Sequence, residues 1–355
     1  MKISVVSASE LDTGLIERWK QIQSSDVSLR SPYYSPGFTR LVSGSGQAVR
    51  VAVIESEGII AGFFPHQQAS FGRLKNVGGG LNDYHGLIAL PSLDLQASAL
   101  LKACKGTYFG FNHLPLTQAV FAPFVHLQSV SPVLELAGGW DAYVERLGVA
   151  QNTRSPGILV TIRASLKRLE RDIGPVRFEI HEKNQHVLEE LMRLKSEQRA
   201  KTVGTAGDPF AVSWIRQLMA SALETGGLDF GASMSTLHAG DKLIAMHYGL
   251  RAGNTLHSWF PVFEPAYSYY QPGLILLKKI AETGWDAGLS LIDLGRGTAT
   301  YKMRFKTAVV PLGQGAVSRP ALLGQAIMAA QGMKAAIKSN SKIGQLRQWM
   351  TAPKE

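Results

Sequence analysis

The apolar positions in the second half of the chain follow two different periods. Some segments repeat apolar residues at helical spacing, and others are the short apolar runs typical of strands. The predicted helices cover 162–173, 187–201, 209–225 and 273–288, and the predicted strands cover 176–181, 228–237, 242–251, 255–263 and 289–294. Glycine-containing turns separate the middle strands. This order predicts an antiparallel meander between helices, followed by one more helix and one more strand.

The first half of the chain predicts a second mixed unit. Its predicted elements are a hairpin over 48–54 and 59–67, a strand over 107–113 and a helix over 140–147. A polar segment rich in turn residues, from Gly148 to Gly157, separates the two halves. We therefore predict an α/β (α+β) protein with domains over 1–150 and 158–318 and a tail over 319–355.

Length and composition narrow the class of protein. A chain of 355 residues suits two domains of ordinary size, and 45% hydrophobic residues is normal for a globular protein. The single cysteine, Cys104, excludes an internal disulfide and a cysteine-based zinc site. The N-terminus lacks a signal-peptide pattern and no window is apolar enough to span a membrane. We therefore expect a cytoplasmic protein.

The formal net charge of +10 is concentrated at the C-terminal end. From Tyr301 to Glu355 the chain has nine basic residues and one acid, and 321–350 shows apolar residues at helical spacing. A basic amphipathic helix in this segment can lie on an anionic membrane surface, or it can pack across the domains with its charges solvated. Nucleic acid is the less favoured partner, because no nucleic-acid motif accompanies the charge.

Two motifs in the second half carry candidate chemistry. The sequence Tyr-Tyr-Gln-Pro-Gly-Leu over 269–274 opens a predicted helix, and Ile-Asp-Leu-Gly-Arg-Gly-Thr-Ala-Thr-Tyr-Lys follows over 292–302. Unpaired N–H groups and the dipole at a helix start favour an anion. Together the motifs resemble the C-terminal half of acyltransferases of the GNAT superfamily. The likeness is greatest to the CelD-type and FemAB-like branch of bacterial cell-envelope biosynthesis.

The resemblance implies two tandem GNAT-like folds followed by a C-terminal basic helix. It implies transfer of an acyl group from acyl-CoA to a primary amine, without a metal. Acceptors in such families are amino sugars of exopolysaccharide or lipid-linked glycan and, in some bacterial branches, a sphingoid-type long-chain amine. The basic tail favours a lipid-associated acceptor and a peripheral position on the inner face of the cytoplasmic membrane.

The same resemblance assigns the donor site to the start of the helix at 273. The residues implied to hold the CoA pyrophosphate are Tyr270, Gln271, Gly273 and Leu274. The usual Arg/Gln-x-x-Gly-x-Gly/Ala loop is absent, so acyl-CoA and aminoacyl-tRNA both stay open as donors.

Further residues of the second half are candidates for catalysis. Asp293, on a short buried strand, can take the amine proton or anchor the Gly-Arg-Gly turn, and Arg296 or Lys302 can pair with it. The resemblance makes Tyr301 the acid that protonates the leaving thiolate, with Lys302 binding phosphate or a carboxylate. His247, in the middle of a strand, is either a general base or a buried core residue.

The first half contributes a glycine-rich loop, Val-Gly-Gly-Gly-Leu-Asn-Asp-Tyr-His-Gly over 77–86. Its density of titratable groups favours a functional site. Asp83 and His85 can bind the acceptor or serve as the base, with His113 nearby, which places the active site at the domain junction. The residues predicted to contact the substrate are Asn82, Tyr84, Asn112, Trp259 and Arg296.

Two alternatives stay open from the sequence. A FemAB-type transferase that uses aminoacyl-tRNA predicts RNA binding by the basic tail with a steep salt dependence. A non-catalytic scaffold of a polysaccharide synthase predicts no turnover and no effect of Asp293→Ala or Lys302→Ala. The sequence does not determine the acyl chain length, the acceptor or the general base.

Overall fold

A computed structural model describes residues 1–154, 156–203, 207–227 and 229–319, and this part of the chain forms one mixed β-sheet with helices packed against it. The strands are β1 (Lys2–Ser7), β2 (Arg50–Ser56), β3 (Ile59–Gln68), β4 (Arg73–Lys75), β5 (Ile88–Ala89), β6 (Tyr108–Pro115), β7 (Val125–Glu135), β8 (Val176–Glu182), β9 (Gly231–Ala239), β10 (Lys242–Ala252), β11 (Thr255–Phe263), β12 (Leu291–Asp293) and β13 (Ala308–Ser318). The helices are α1 (Thr13–Ser25), α2 (Pro36–Gly44), α3 (Ala97–Ala103), α4 (Gly139–Ala150), α5 (Gly157–Asp172), α6 (Gln185–Val203), α7 (Ser213–Thr225), α8 (Pro272–Gly284) and α9 (Thr300–Phe305).

The sheet contains the same arrangement of strands twice. β1 to β4 are antiparallel neighbours, and β4 then pairs in parallel with β6. Likewise, β8 to β11 are antiparallel neighbours, and β11 pairs in parallel with β12. A pair of helices follows the first strand of each series, and one helix precedes each parallel strand. The predicted mixed α/β fold, with two units of the same element order, is confirmed.

The last strand of each unit pairs with the other unit. β7 lies antiparallel to β12, and β13 inserts between β6 and β7. The two units therefore share one continuous sheet. Neither β7 nor β13 was predicted, because Pro132 and Pro311 interrupt the apolar runs from which strands are recognised.

Alternate strand residues pack into different cores. In β2, Val53 belongs to a core that contains residues of α1, α2, α6 and α7, whereas Ala52 belongs to a core that contains α3. In β9, Met234 joins the first of these cores, and Leu237 joins a third core with α4, α5 and α8. The first core therefore extends across both units on one face of the sheet.

The second half follows the predicted element order with shifted bounds. β11 has the predicted bounds, but α8 ends at Gly284 rather than at 288. Its end is fixed by Gly288, which has a φ of +78°, and by a hydrogen bond of 2.7 Å from the N–H of Leu289 to the carbonyl of Gly284. The domain limits at 150 and 158 stay a prediction. The predicted basic helix over 321–350 lies outside the described residues.

Candidate active site

The candidate site lies where the parallel strands of the second unit separate. β11 pairs with β12 only from Thr255 and Leu291 to His257 and Asp293, and β11 then continues to Phe263 without that neighbour. His257 and Asp293 are thus the last paired residues at the closed end of the opening. Their side chains approach each other, with 3.7 Å between the Nδ1 of the imidazole and the Oδ1 of the carboxylate.

The Asp293 carboxylate is buried and surrounded by donors. The hydroxyl groups of Tyr84, from the first unit, and of Ser131, from β7, both donate to it. The N–H of Gly295 donates to its Oδ1 at 2.8 Å. Three donors satisfy much of the hydrogen-bonding capacity of a carboxylate, which offsets the cost of burying its charge. Asp293 therefore joins the first unit, β7 and the following turn.

The expected pairing of Asp293 with Arg296 or Lys302 was wrong. Lys302 instead donates to the carbonyls of Gly295 and Arg296, at 3.0 and 3.2 Å. Arg296 donates to the carbonyl of Asn112 in the first unit, at 2.8 Å. Both cations therefore hold the turn after β12 in place. The hydroxyl groups of Tyr84 and Ser131 and the N–H of Gly295 stabilise the Asp293 carboxylate instead.

Asp83 lies between two imidazole rings. Its Oδ2 is 3.1 Å from the Nε2 of His257, and its Oδ1 is 3.3 Å from the Nε2 of His113. The Nδ1 of His113 is 2.6 Å from the Oδ1 of Asn112. The side chain of Asp83 retains 27% exposure, whereas that of His257 has none. Among Asp83, His113 and His257, the side chain of Asp83 is therefore the most accessible from solvent.

The charges within the cluster stabilise one another. Burial favours the neutral imidazole of His257, but the charge of Asp293 and the hydrogen bond with Asp83 raise its pKa above the ordinary value. Burial would raise the pKa of Asp83, yet its hydrogen bond with His257 and the nearby imidazoles hold that pKa below the ordinary value. Burial lowers the pKa of His113 to about 4, with Asp83 acting in the opposite direction. Of these two imidazoles, that of His257 is therefore the one whose protonated form the carboxylates favour.

The remaining polar residues of the 77–86 loop hold its shape. Asn82 accepts from the N–H of Tyr84 at 2.8 Å and donates to the carbonyl of Val77 at 3.1 Å. The Nε2 of His85 is 2.9 Å from the carbonyl of Asn82, and its Nδ1 accepts from the N–H of Asn112 at 3.3 Å. Burial lowers the pKa of His85 to about 3. Both ring nitrogens of His85 are thus engaged by backbone groups, which leaves neither for a substrate.

Three further predicted residues make no hydrogen bond to the cluster. His247 is buried, and its Nε2 is 2.9 Å from the hydroxyl of Ser258. Tyr301 packs against the third core, and its hydroxyl makes no hydrogen bond within the described ranges. Trp259 follows His257 on the unpaired part of β11 and stacks on Phe260 with ring centroids 4.7 Å apart. Trp259 therefore has the position of a wall of the opening.

The predicted donor site at the start of α8 is braced by α5. The hydroxyl of Tyr270 donates to Asp172 at 3.3 Å, and Gln271 has a left-handed φ of +53° immediately before the helix. Leu274 packs against the third core. A Cβ added at Gly273 would meet Phe263 at 3.4 Å, which is an ordinary contact. Packing therefore does not require glycine at this position.

The sequence analysis missed three residues of the site. His257 lies on a predicted strand, but its importance depends on the parallel register with Asp293, which a single sequence does not provide. Ser131 lies on β7, which was not predicted. Tyr33 is buried in an edge-to-face arrangement with His257, with 5.0 Å between the two ring centroids, and its hydroxyl has no partner within the described ranges. For His257, the available sequence signal was its position on a predicted strand two residues before Trp259, which was already a candidate.

Within the described ranges, no cluster of three or more His, Cys, Asp or Glu side chains has a metal-binding arrangement. None of the helices described here has the length and apolar character that crossing a membrane requires.

Comparison with known families addresses the second unit directly. Residues 159–303 match the family model of an acetyltransferase (GNAT) domain. The second unit therefore has a GNAT-like fold. This result supports the predicted broad activity, an acyltransferase, and GNAT domains generally use acyl-CoA. The CelD-type or FemAB-like branch stays a prediction, and no curated protein matches the chain.

Solved structures show the same fold along most of the chain. FemX is 9% identical with a TM-score of 0.58, over 89% of this chain and 96% of that one. The C-terminal domain of a putative lysylphosphatidylglycerol synthetase from Agrobacterium fabrum is 15% identical with a TM-score of 0.52, over 89% and 95%. A conserved protein of unknown function from Bacteroides thetaiotaomicron is 10% identical with a TM-score of 0.56, over 85% and 97%. At these identities the likeness shows the fold alone.

Proposed function

We propose that the protein is an acyl-CoA-dependent N-acyltransferase of the CelD-type or FemAB-like branch. Its acceptor is a primary amine of a bacterial envelope component, either an amino sugar of exopolysaccharide or lipid-linked glycan, or a sphingoid-type long-chain amine. The observation that carries the proposal is the cluster of Asp293, His257 and Asp83 at the closed end of the opening between β11 and β12. The proposal includes a cytoplasmic location, with the protein bound peripherally to the inner face of the cytoplasmic membrane.

The opening suits an acyl-CoA donor. From Ser258 to Phe263, the edge of β11 away from β10 pairs with no other described strand. The Pro261 carbonyl accepts from Lys195 at 2.8 Å, and the other backbone groups of this edge are available to an extended amide chain such as pantetheine. α8 begins soon after this edge, and the N–H groups of its first turn favour an anion such as the CoA pyrophosphate. Packing does not require Gly273, and a glycine at this position allows a ligand to approach the backbone closely.

The cluster supplies the proton chemistry. The amine nitrogen attacks the thioester carbonyl carbon, the C–S bond breaks and CoA leaves as a thiolate. The amine proton goes to the unit formed by two carboxylates and an imidazole, which is enclosed at Asp293 and partly exposed at Asp83. Tyr301 or Lys302 then protonates the thiolate. Burial lowers the pKa of Lys302, against the effect of Asp83 and Asp293, and this makes the ammonium a better proton donor.

Donor binding tests the first part of the proposal. The stability of the purified full chain is measured with acetyl-CoA, palmitoyl-CoA and free CoA. Ligand at a hundredfold over Kd should add about 2.7 kcal/mol to the free energy of unfolding. In Gly273→Asp this gain should disappear, because a carboxylate at the helix start repels the pyrophosphate. Gly157→Asp, at the exposed start of α5, is the matched control and should keep the gain.

Transfer tests the second part. With glucosamine, sphinganine and their phosphate esters as acceptors, Asp83→Asn should bind acyl-CoA like the unchanged protein, but its rate of acyl transfer, followed as free thiol, should be about a hundredfold lower. No stabilisation by any CoA compound would refute the donor assignment. Donor binding with turnover that does not depend on Asp83 would refute the role of the cluster.

Transfer of an aminoacyl group is the second candidate function. It is favoured by the likeness over most of the chain to the C-terminal domain of a putative lysylphosphatidylglycerol synthetase. Such a transferase would draw its acyl group from charged tRNA. Incorporation of a labelled amino acid from aminoacyl-tRNA into lipid or glycan, in the absence of any acyl-CoA, distinguishes it from the first candidate.

A further inference from the structure

A cavity of about 380 Å³ adjoins the buried side of the candidate active site. Asp293 and Tyr84 line it, so it reaches the carboxylate of the cluster directly. Its other walls come from the connection between α1 and α2, from the turn after β6 and from the start of β13. The cavity is therefore enclosed by elements of both units and belongs to neither alone.

Two polar groups of the cavity have no partner within the described ranges. Thr255 is only 2% exposed, and its hydroxyl makes no hydrogen bond. A buried hydroxyl without a partner is uncommon and costs free energy unless a ligand or water satisfies it. Arg30 also lines the cavity, and its guanidinium forms neither a hydrogen bond nor an ion pair with a described residue. A guanidinium offers five donors in a planar arrangement that fits carboxylate and phosphate.

The rest of the lining is largely apolar. Pro32, Leu291, Val309 and Pro311 contribute to the walls, and they suit the carbon skeleton of a small organic molecule better than a hydrated ion. Charged and hydrogen-bonding groups are therefore few and separate. The carboxylate of Asp293, the hydroxyl of Thr255 and the guanidinium of Arg30 therefore lie in a space whose lining is mostly apolar, with Ser28, Ser31, Thr117 and Tyr84 as its other polar residues.

The position of Arg30 indicates the route of entry. Arg30 and Thr255 also line a groove of about 1150 Å³ that runs between α2 of the first unit and α7 of the second. Arg40 lines this groove but not the cavity. Arg30 therefore stands where the groove meets the cavity, and Asp293 is reached from there.

We propose that the cavity holds the acceptor and that the acceptor is an amine carrying an anionic group, a carboxylate or a phosphate. Arg30 pairs with the anion, Thr255 hydrogen-bonds to a polar atom of the body, and Asp293 attracts the protonated amine, which loses a proton before its nitrogen attacks the thioester. The inference rests on the proposed N-acyltransferase function and narrows its acceptor to an amino sugar or a long-chain amine that also carries an anionic group. A neutral amino sugar or amino alcohol would leave the guanidinium without a partner.

Binding of matched amine pairs to the full chain tests this. The probes are O-phosphoethanolamine against ethanolamine, and β-alanine against propylamine, with dissociation constants measured by calorimetry. The anionic member of at least one pair should bind at least tenfold more tightly, and the pair with the larger ratio tells phosphate from carboxylate. In Arg30→Gln this preference should fall below threefold. Arg40→Gln is the matched control and should keep it.

The outcomes separate this inference from the proposed function. Equal binding of anionic and neutral amines, no binding of any of the four probes, or a preference that survives in Arg30→Gln would overturn the inference. None of these results alters CoA binding, which the Gly273→Asp experiment reports. If Arg30→Gln loses the anionic preference, Arg40→Gln keeps it and the unchanged protein does not bind CoA, the result would support a site for an anionic amine in a protein that uses another acyl donor.

Discussion

The two aspartates of the cluster, Asp293 and Asp83, differ in their hydrogen-bond partners and in their exposure to solvent. Asp293 accepts from two hydroxyl groups and one N–H and is buried, so its carboxylate is held in one orientation. Asp83 has only imidazole partners and keeps partial exposure. His257 lies between the two carboxylates. An imidazole held in this way transmits the charge state of one carboxylate to the other, which couples the enclosed side of the site to solvent.

Buried imidazoles should make the protein less stable in mild acid. The pKa values of His85, His113 and His247 are lowered, mainly by burial, to about 3, 4 and 4. Below pH 6.5 the unfolded chain binds protons at these positions and the folded chain does not, so the free energy of unfolding falls as pH falls towards 4. His257 acts in the opposite sense, since its raised pKa adds stability below pH 6.5 that is lost at higher pH.

His247→Gln should therefore flatten the acid side of the stability curve. Removing one such imidazole should reduce the slope by up to one proton, or about 1.4 kcal/mol per pH unit. Urea unfolding at several pH values between 4.5 and 6.5 gives that slope. His186→Gln is the matched control, because the side chain of His186 is 92% exposed. An unchanged slope in His247→Gln would mean that the folded protein already carries a proton on that ring.

At the scale of elements, continuous periodic patterns were predictable and interrupted ones were not. The helices and the meander of the second unit follow from apolar spacing alone, and β11 has its predicted bounds. β7 and β13 were not predicted, because proline and glycine interrupt their apolar runs, although long-range pairing places both strands in the middle of the sheet. The residues of the 292–302 motif and the 77–86 loop were identified, but not the register that joins them through His257. Contacts between distant segments depend on tertiary pairing, which local pattern does not encode.

The turn after β12 should depend on its cation. Lys302 binds the carbonyls of Gly295 and Arg296, and Gly295 in turn donates to Asp293. Lys302→Met leaves two carbonyls without this donor and should lower the free energy of unfolding by about 1–3 kcal/mol. Lys306→Met, at the end of the same helix, should change it by less than about 0.5 kcal/mol. Chemical denaturation of both variants measures this, and equal losses would show that the turn does not need Lys302.

At the scale of the whole molecule, the two units are interleaved rather than joined in sequence. β13 of the second unit separates β6 and β7 of the first, and one core contains helices from both units. The candidate site draws Asp83 and Tyr84 from the first unit and His257 and Asp293 from the second. An active site built in this way requires both units to be folded at once, so we expect the unfolding of the units to be coupled.

Phe38→Ala tests this coupling. Phe38 is fully buried in the shared core and packs against Tyr33 of the first unit and Phe230 of the second, at ring-centroid distances of 5.0 and 6.4 Å. Its removal should cost about 3–5 kcal/mol. If the units unfold together, hydrogen exchange in β2 and in β10 should accelerate by the same factor, because both open through one global transition. Phe71→Ala, at a side chain that is 95% exposed, should change neither strand. Acceleration confined to β2 would instead show two units that fold independently despite their exchanged strands.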